Sequence, residues 1–293
     1  MRPEKAGPEQ VLLGVRTIEI AGVTTRVLEL PGTGPAVLLL HGFSDSADTW
    51  RPVLAHLARL GRRAVAVDLP GFGRAGRLPR EQGLLAPLDR FVDALVHTYN
   101  EGERCVVAGN SLGAVLALRA AERELPLAGC AAISPAGLEM SPSAWAVDWI
   151  LEGPLLRLVS RAPVPKAIVQ RAASFVYGRY AGRGVDPAVA KLYGGHFVRG
   201  LGDLRRFGAM ARALADDLRA GAYRFDRVKV PILLLWGARD PFCLVSGARA
   251  VIDAVPGTRL VVLDGCGHCA QLEAPETIAG ELAALSQSAK PWS

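Results

Sequence analysis

Apolar residues fall along this chain in two alternating rhythms. Ala36 to Leu40, Ala64 to Val67, Cys105 to Ala108 and Ala131 to Ile133 are short runs with no polar position. A strand covered on both faces reads this way, because neither side has to meet water. Between these runs, apolar residues recur at three- and four-residue steps, which gathers them on one helix face. Trp50, Val53, Leu54, Leu57 and Leu60 form one such set, with Gly61 as its stop, and Phe91, Val92, Leu95, Val96 and Tyr99 form another. A third helix is predicted from Leu112 to about Arg123. Ahead of them, Val15 to Ile20 and Thr25 to Leu30 read as a hairpin around Ala21-Gly22. Strands alternating with helices at this spacing predict right-handed crossovers and a parallel sheet.

The rhythm breaks after Pro135. From Leu138 to Val228 no buried strand is predicted, and Trp145, Trp149, Ile150, Leu155, Leu156 and Val159 suit helices. Strand and helix order returns with Ile232 to Trp236, a helix near Val245 to Val255, a strand at Arg259 to Leu263 and a last helix from about Pro275 to Leu285. The reading is one α/β domain, residues 1–137 and 229–293, interrupted by a helical insertion at 138–228.

Composition narrows the class. The chain has 293 residues, half of them hydrophobic, enough for a substantial core. No apolar run approaches the roughly 20 residues of a membrane-spanning helix, so no stable membrane insertion is expected. Residues 1–10 are charged and lack the apolar stretch of a signal peptide, which points to the cytoplasm. The net charge of +6 rests on 29 Arg and only five Lys, a usage that looks like a high-GC bacterial genome. The excess lies in 138–228, with 14 basic against 8 acidic residues. No basic run carries interleaved aromatics, so nucleic acid is not an expected partner. The five Cys are odd in number and without framework spacing, and should be thiols. Cys266-Gly-His-Cys269 has CxxC spacing, but no second pair completes a zinc site. These Cys read as small buried side chains, and no metal is expected.

Three signals sit at strand C-terminal ends, where open parallel sheets place their sites. Gly109-Asn-Ser111-Leu-Gly113 follows a buried strand and opens a helix, the setting of a nucleophile elbow. The flanking glycines permit a sharp turn where a Cβ would clash, and Ser111 sits at a helix N-terminus that favours developing negative charge. A serine needs a base. Of five His, only His268 follows the last strand in a short glycine-containing loop; His56 and His97 lie on helical patterns and His196 in the insertion, where it could touch substrate. Asp240, just after the preceding strand, fits the carboxylate that orients His268, with Asp264 as runner-up and Asp68 as a loop cap. His41-Gly42-Phe43 ends the first buried strand. The backbone N–H groups of Phe43 and Leu112 are the natural oxyanion donors, and His41 reads as a brace for that loop.

In order along the chain, His41-Gly-Phe43, Asp68-Leu-Pro-Gly-Phe-Gly73, Gly109-Asn-Ser111-Leu-Gly113, Gly237-Ala-Arg-Asp240 and Gly267-His268 resemble the α/β-hydrolase superfamily. The resemblance implies a mostly parallel eight-stranded sheet flanked by helices, with a helical cap inserted after strand 6. It implies serine acyl transfer without a cofactor. The elbow serine argues against the related dehalogenases and epoxide hydrolases, which use Asp there.

The expected reaction is hydrolysis of a small-molecule carboxylic ester by a monomer or homodimer. A carbon–carbon bond hydrolase of vinylogous diketones is the alternative, suggested by Asn110 and by Gly267-His268-Cys-Ala-Gln271-Leu-Glu273. Its oxyanion loop is glycine-rich where this chain has Phe43-Ser-Asp, and it carries Trp where this chain has Cys269. Thioester hydrolysis, cofactor-free haloperoxidase-like activity and a non-catalytic receptor on the same fold complete the set. Trp145, Trp149, Phe175, Tyr177, Tyr180 and Phe197 are candidates for an apolar acyl pocket. Cys266 and Cys269, beside His268, would make activity oxidant-sensitive, and the basic insertion could attract an anionic substrate or membrane surface.

Overall fold

The structure, a computed structural model, describes residues 13–78, 83–142, 164–180, 187–196 and 201–287. Eight strands form one sheet in the order β1-β2-β4-β3-β5-β6-β7-β8. β1 (Gly14–Ile20) and β2 (Val23–Leu30) make the expected hairpin, turning through Ala21 and Gly22, both at positive φ. β2 runs antiparallel to β4 (Arg62–Val67) as well. From β4 onward, through β3 (Thr33–Leu40), β5 (Cys105–Asn110), β6 (Leu127–Ile133), β7 (Ile232–Gly237) and β8 (Arg259–Leu263), every pairing is parallel.

The polar-free runs are strands for the reason their pattern gave. Val37 to Leu40 and Val106 to Ala108 are fully buried, and alternate residues pack into two cores on opposite sheet faces. One face is covered by α2 (Leu85–Tyr99) and α3 (Leu112–Ala121). The other is covered by α1 (Arg51–Arg59) and the C-terminal helix (Pro275–Gln287).

Between β6 and β7 the described residues include three helices, α4 (Lys166–Tyr180), α5 (Pro187–Gly195) and α6 (Leu201–Arg219). No helix among the described residues is long and apolar enough to cross a membrane. After β7 come α7 (Ala248–Ala254), α8 (Ala270–Glu273) and the C-terminal helix, α9.

A buried charge cluster anchors the loop after β3. The Arg26 guanidinium donates to Asp68 at 2.9 and 3.0 Å and to Asp48 at 2.7 Å. Asp68 also accepts the backbone N–H groups of Ala47 and Arg74, each at 2.8 Å. Asp68 therefore does cap its own loop, and it also ties β2 to the segment leading into α1. Arg26 is buried too, so its charge is usable there only because two carboxylates surround it.

Candidate active site

Ser111 sits between β5 and α3 at φ 54° and ψ −113°, a conformation that costs a side-chain-bearing residue energy. From Cys105 to Leu118 every residue is buried except Ser111. The two glycines explain how the turn fits. A Cβ on Gly109 would strike the backbone of Gly113, and one on Gly113 would strike the carbonyl of Leu40. Their role is close approach of backbones, while the strained dihedral belongs to the serine itself.

His268 and Asp240 meet although they are 28 positions apart: Nδ1 of His268 lies 2.8 Å from Oδ2 of Asp240. The other Asp240 oxygen accepts the N–H groups of Phe242 (2.8 Å) and Cys243 (3.0 Å), which fixes the carboxylate plane. Gly237 has no room for a Cβ because the Gly267 carbonyl lies against it, and that contact brings the two loops together. Burial raises the Asp240 carboxyl, but the His268 ring and the two N–H donors outweigh it and hold the group below the ordinary carboxylate value. Burial pulls the His268 imidazole down, and the Asp240 charge overrides this, so its pKa lies above that of a free histidine. Asn110 couples this pair to the elbow, its side-chain amide donating to the His268 carbonyl at 2.9 Å. Asp264 has no bond to His268 among the described residues.

On the other flank, His41 is fully buried and accepts the Leu69 N–H on Nε2 (2.9 Å), so Nδ1 carries the proton and donates to the Gly42 carbonyl (2.7 Å). It braces the loop, as its position after β3 suggests. Phe43 follows, and among the described residues neither its N–H nor that of Leu112 has a hydrogen-bond acceptor. The Phe43 ring packs edge-on against Phe72 and Phe207, the latter from α6.

The insertion grips the residues immediately after Phe43. Tyr177 donates its hydroxyl to Asp45 (2.9 Å), Tyr193 shares a hydrogen bond with Ser44 (2.7 Å), and His196 Nδ1 donates to the Ser44 carbonyl (3.3 Å). The two tyrosine rings stack with centroids 4.0 Å apart. Burial pushes the Asp45 carboxyl above its ordinary value despite these donors.

Tyr177, expected to line an acyl pocket, and His196, expected to touch substrate, thus both reach the Phe43 loop. Phe175 does not: it is 75% exposed, because α4 turns Val169 and Tyr177 inward and leaves position 175 on the opposite side. Trp145, Trp149 and Phe197 lie outside the described residues, as does the Tyr180 side chain. Cys266 and Cys269 are both buried, and burial pushes their thiols above the ordinary value. Oxidants act on accessible thiolates, so the expected oxidant sensitivity loses its physical basis. Phe72, Phe207 and Tyr193 were missed. Phe207 and Tyr193 stand on helical segments whose facing could not be read without the sheet they pack on.

The chain matches the alpha/beta hydrolase family over residues 37–281, and it belongs to that family. It is 28% identical over 257 residues to an uncharacterized protein of Mycobacterium tuberculosis, covering 83% of this chain and 72% of that one. It is 25% identical over 264 residues to monoacylglycerol lipase ABHD6 of Bos taurus, covering 85% and 74%. A bacterial membrane phospholipase A has a similar fold, with a TM-score of 0.72 at 24% identity over 94% of this chain and 86% of that one.

Proposed function

We propose that this hydrolase cleaves carboxylic esters of small or medium apolar acyl groups through an acyl-enzyme on Ser111. His268 takes the Ser111 proton and returns it to the leaving alcohol. Asp240 holds the ring in the tautomer that leaves Nε2 free and stabilises the imidazolium. The N–H groups of Phe43 and Leu112 receive the oxyanion, and water then releases the acid. No cofactor enters this chemistry. Residues 138–228 form the cap of this reading, with Phe43, Phe72 and Phe207 as the apolar surface beside the oxyanion donors.

The observation that carries the proposal is the strained, partly exposed Ser111, bound through Asn110 to the loop of an Asp240–His268 pair. The lipase among the relatives supports the ester class. The test is hydrolysis of p-nitrophenyl esters from acetate to palmitate by wild type and Ser111→Ala. Turnover with a chain-length optimum, abolished in the variant, is expected. Absence of wild-type turnover across the series would overturn the ester reading and send the search to diketones and thioesters.

A further inference from the structure

We infer that α4 is a docking surface for an anionic lipid bilayer. Among the described residues, seven large hydrophobic side chains are exposed, and four of them cluster here: Val164 (37%), Ile168 (57%), Phe175 (75%) and Val176 (52%). Ile168 and Phe175 stand seven positions apart, two turns along one face, and Val164 lies just before the helix. The opposite face is already used, since Val169 and Tyr177 are buried against the rest of the protein. A Phe that is 75% exposed adds little to the packing of α4, and soluble surfaces rarely gather such side chains without a partner.

Charge selects the partner. Between positions 164 and 180 there is no acidic residue, while Lys166, Arg171 and Arg179 are present; Arg171 is exposed on the flank of the stripe and Lys166 is exposed at the first position of the helix. Apolar side chains bordered by cations match the boundary between acyl chains and anionic headgroups. A second copy of the chain fits poorly. A two-fold contact would set this cationic helix against itself, and four side chains fall far short of the roughly 800 Å² per partner that a stable interface buries. A nucleic acid or acidic peptide would satisfy the cations and leave Ile168 and Phe175 in water.

The placement has a chemical consequence that rests on the proposed ester hydrolysis. The helix that meets the bilayer also holds Asp45 through Tyr177, two residues beyond Phe43. A protein docked by α4 carries its candidate oxyanion loop one helix thickness from the lipid. Its substrate class would then be an acyl ester drawn from the membrane.

Co-sedimentation with phosphatidylcholine vesicles, with and without one-third phosphatidylglycerol, tests the docking without any turnover. Wild type and Ser111→Ala should bind the anionic vesicles equally, and the neutral ones weakly. Ile168→Asp and Phe175→Asp should each weaken binding at least about tenfold, as expected for removing a large buried apolar side chain and adding a like charge. Lys166→Gln and Arg171→Gln should cost about fivefold each, and binding should fall with salt. The thermal melts should stay unchanged, because all four residues are exposed. Equal binding by the Asp variants overturns the proposal, as does a wild-type dimer in light scattering that Phe175→Asp dissolves. Vesicle binding by a protein inactive on every ester would leave the docking intact and remove the ester reading.

Discussion

The two loops flanking Ser111 are held by opposite means. The His268 loop is fixed from within the α/β core: backbone N–H groups orient Asp240, and the contact between Gly237 and Gly267 closes the gap. The Phe43 loop is fixed largely from outside it. Arg26 and Asp68 pin its far end, and Tyr177, Tyr193 and His196 of the insertion grip Ser44 and Asp45. Backbone donors remain whatever side chains stand at positions 242 and 243, with only a Cβ at Gly237 excluded, whereas side-chain anchors can be removed one at a time. The flank proposed for acid–base work therefore rests mainly on the backbone, and the flank proposed for the oxyanion is the one an inserted helical region can tune.

Substitutions on the two flanks sharpen this contrast. Ser111→Ala, which belongs to both, should lower kcat by about four to six orders of magnitude on the best ester, with the fold intact by circular dichroism. Asp240→Asn should cost about 10⁴-fold in kcat, since the ring loses its tautomer control. The pH profile gives an independent reading. In the proposed mechanism His268 is a base only when neutral, and its raised pKa means kcat/KM should climb with pH to a midpoint on the alkaline side of an ordinary histidine. In Asp240→Asn the residual activity should titrate at lower pH, because burial remains and the opposing charge is gone. A midpoint that moves up or stays fixed would show that the carboxylate does not control this ring.

On the other flank the effects should be smaller and of a different kind. Arg26→Met takes the guanidinium from buried Asp68 and leaves Asp48 with Arg51 alone, and should lower the stability measured in urea by about 3–5 kcal/mol. Tyr177→Phe keeps the stack with Tyr193 but removes the donor to Asp45. It should reduce kcat about tenfold with little change in KM, through displacement of the Phe43 N–H. A tenfold loss for Tyr177→Phe alongside wild-type stability would place the effect in positioning. If Tyr177→Phe leaves kcat unchanged, the insertion does not tune the oxyanion loop.

The asymmetry also decides what could be read from the sequence. Val37 to Leu40 announced a strand because both of its faces are covered, a property written in consecutive residues. Gly109 and Gly113 bracket the serine within one turn of chain, so the elbow was equally local. Asp240 and His268 were legible from their positions after β7 and β8, since the sheet order brings adjacent strand ends together. The Tyr177–Asp45 bond spans 132 positions and the Tyr193–Ser44 bond 149. Nothing near Tyr177 distinguishes it from Phe175, two residues earlier and on the other side of α4. Only the docking of that helix assigns one ring to the site and the other to the surface. The Arg26 cluster escaped notice for the same reason, as its partners stand on three separate segments.

His41 carries a consequence for spectroscopy. Its two ring nitrogens have fixed and opposite duties, one accepting from Leu69 and the other donating to Gly42, and burial holds its pKa below that of a free histidine. In nitrogen-15 spectra it should show two widely separated shifts, one pyridine-like and one pyrrole-like, that stay still across neutral pH. The His268 signals, by contrast, should move as pH rises into the alkaline range. The protein thus contains its own stationary reference, just after β3, for the residue proposed as the base in the loop after β8.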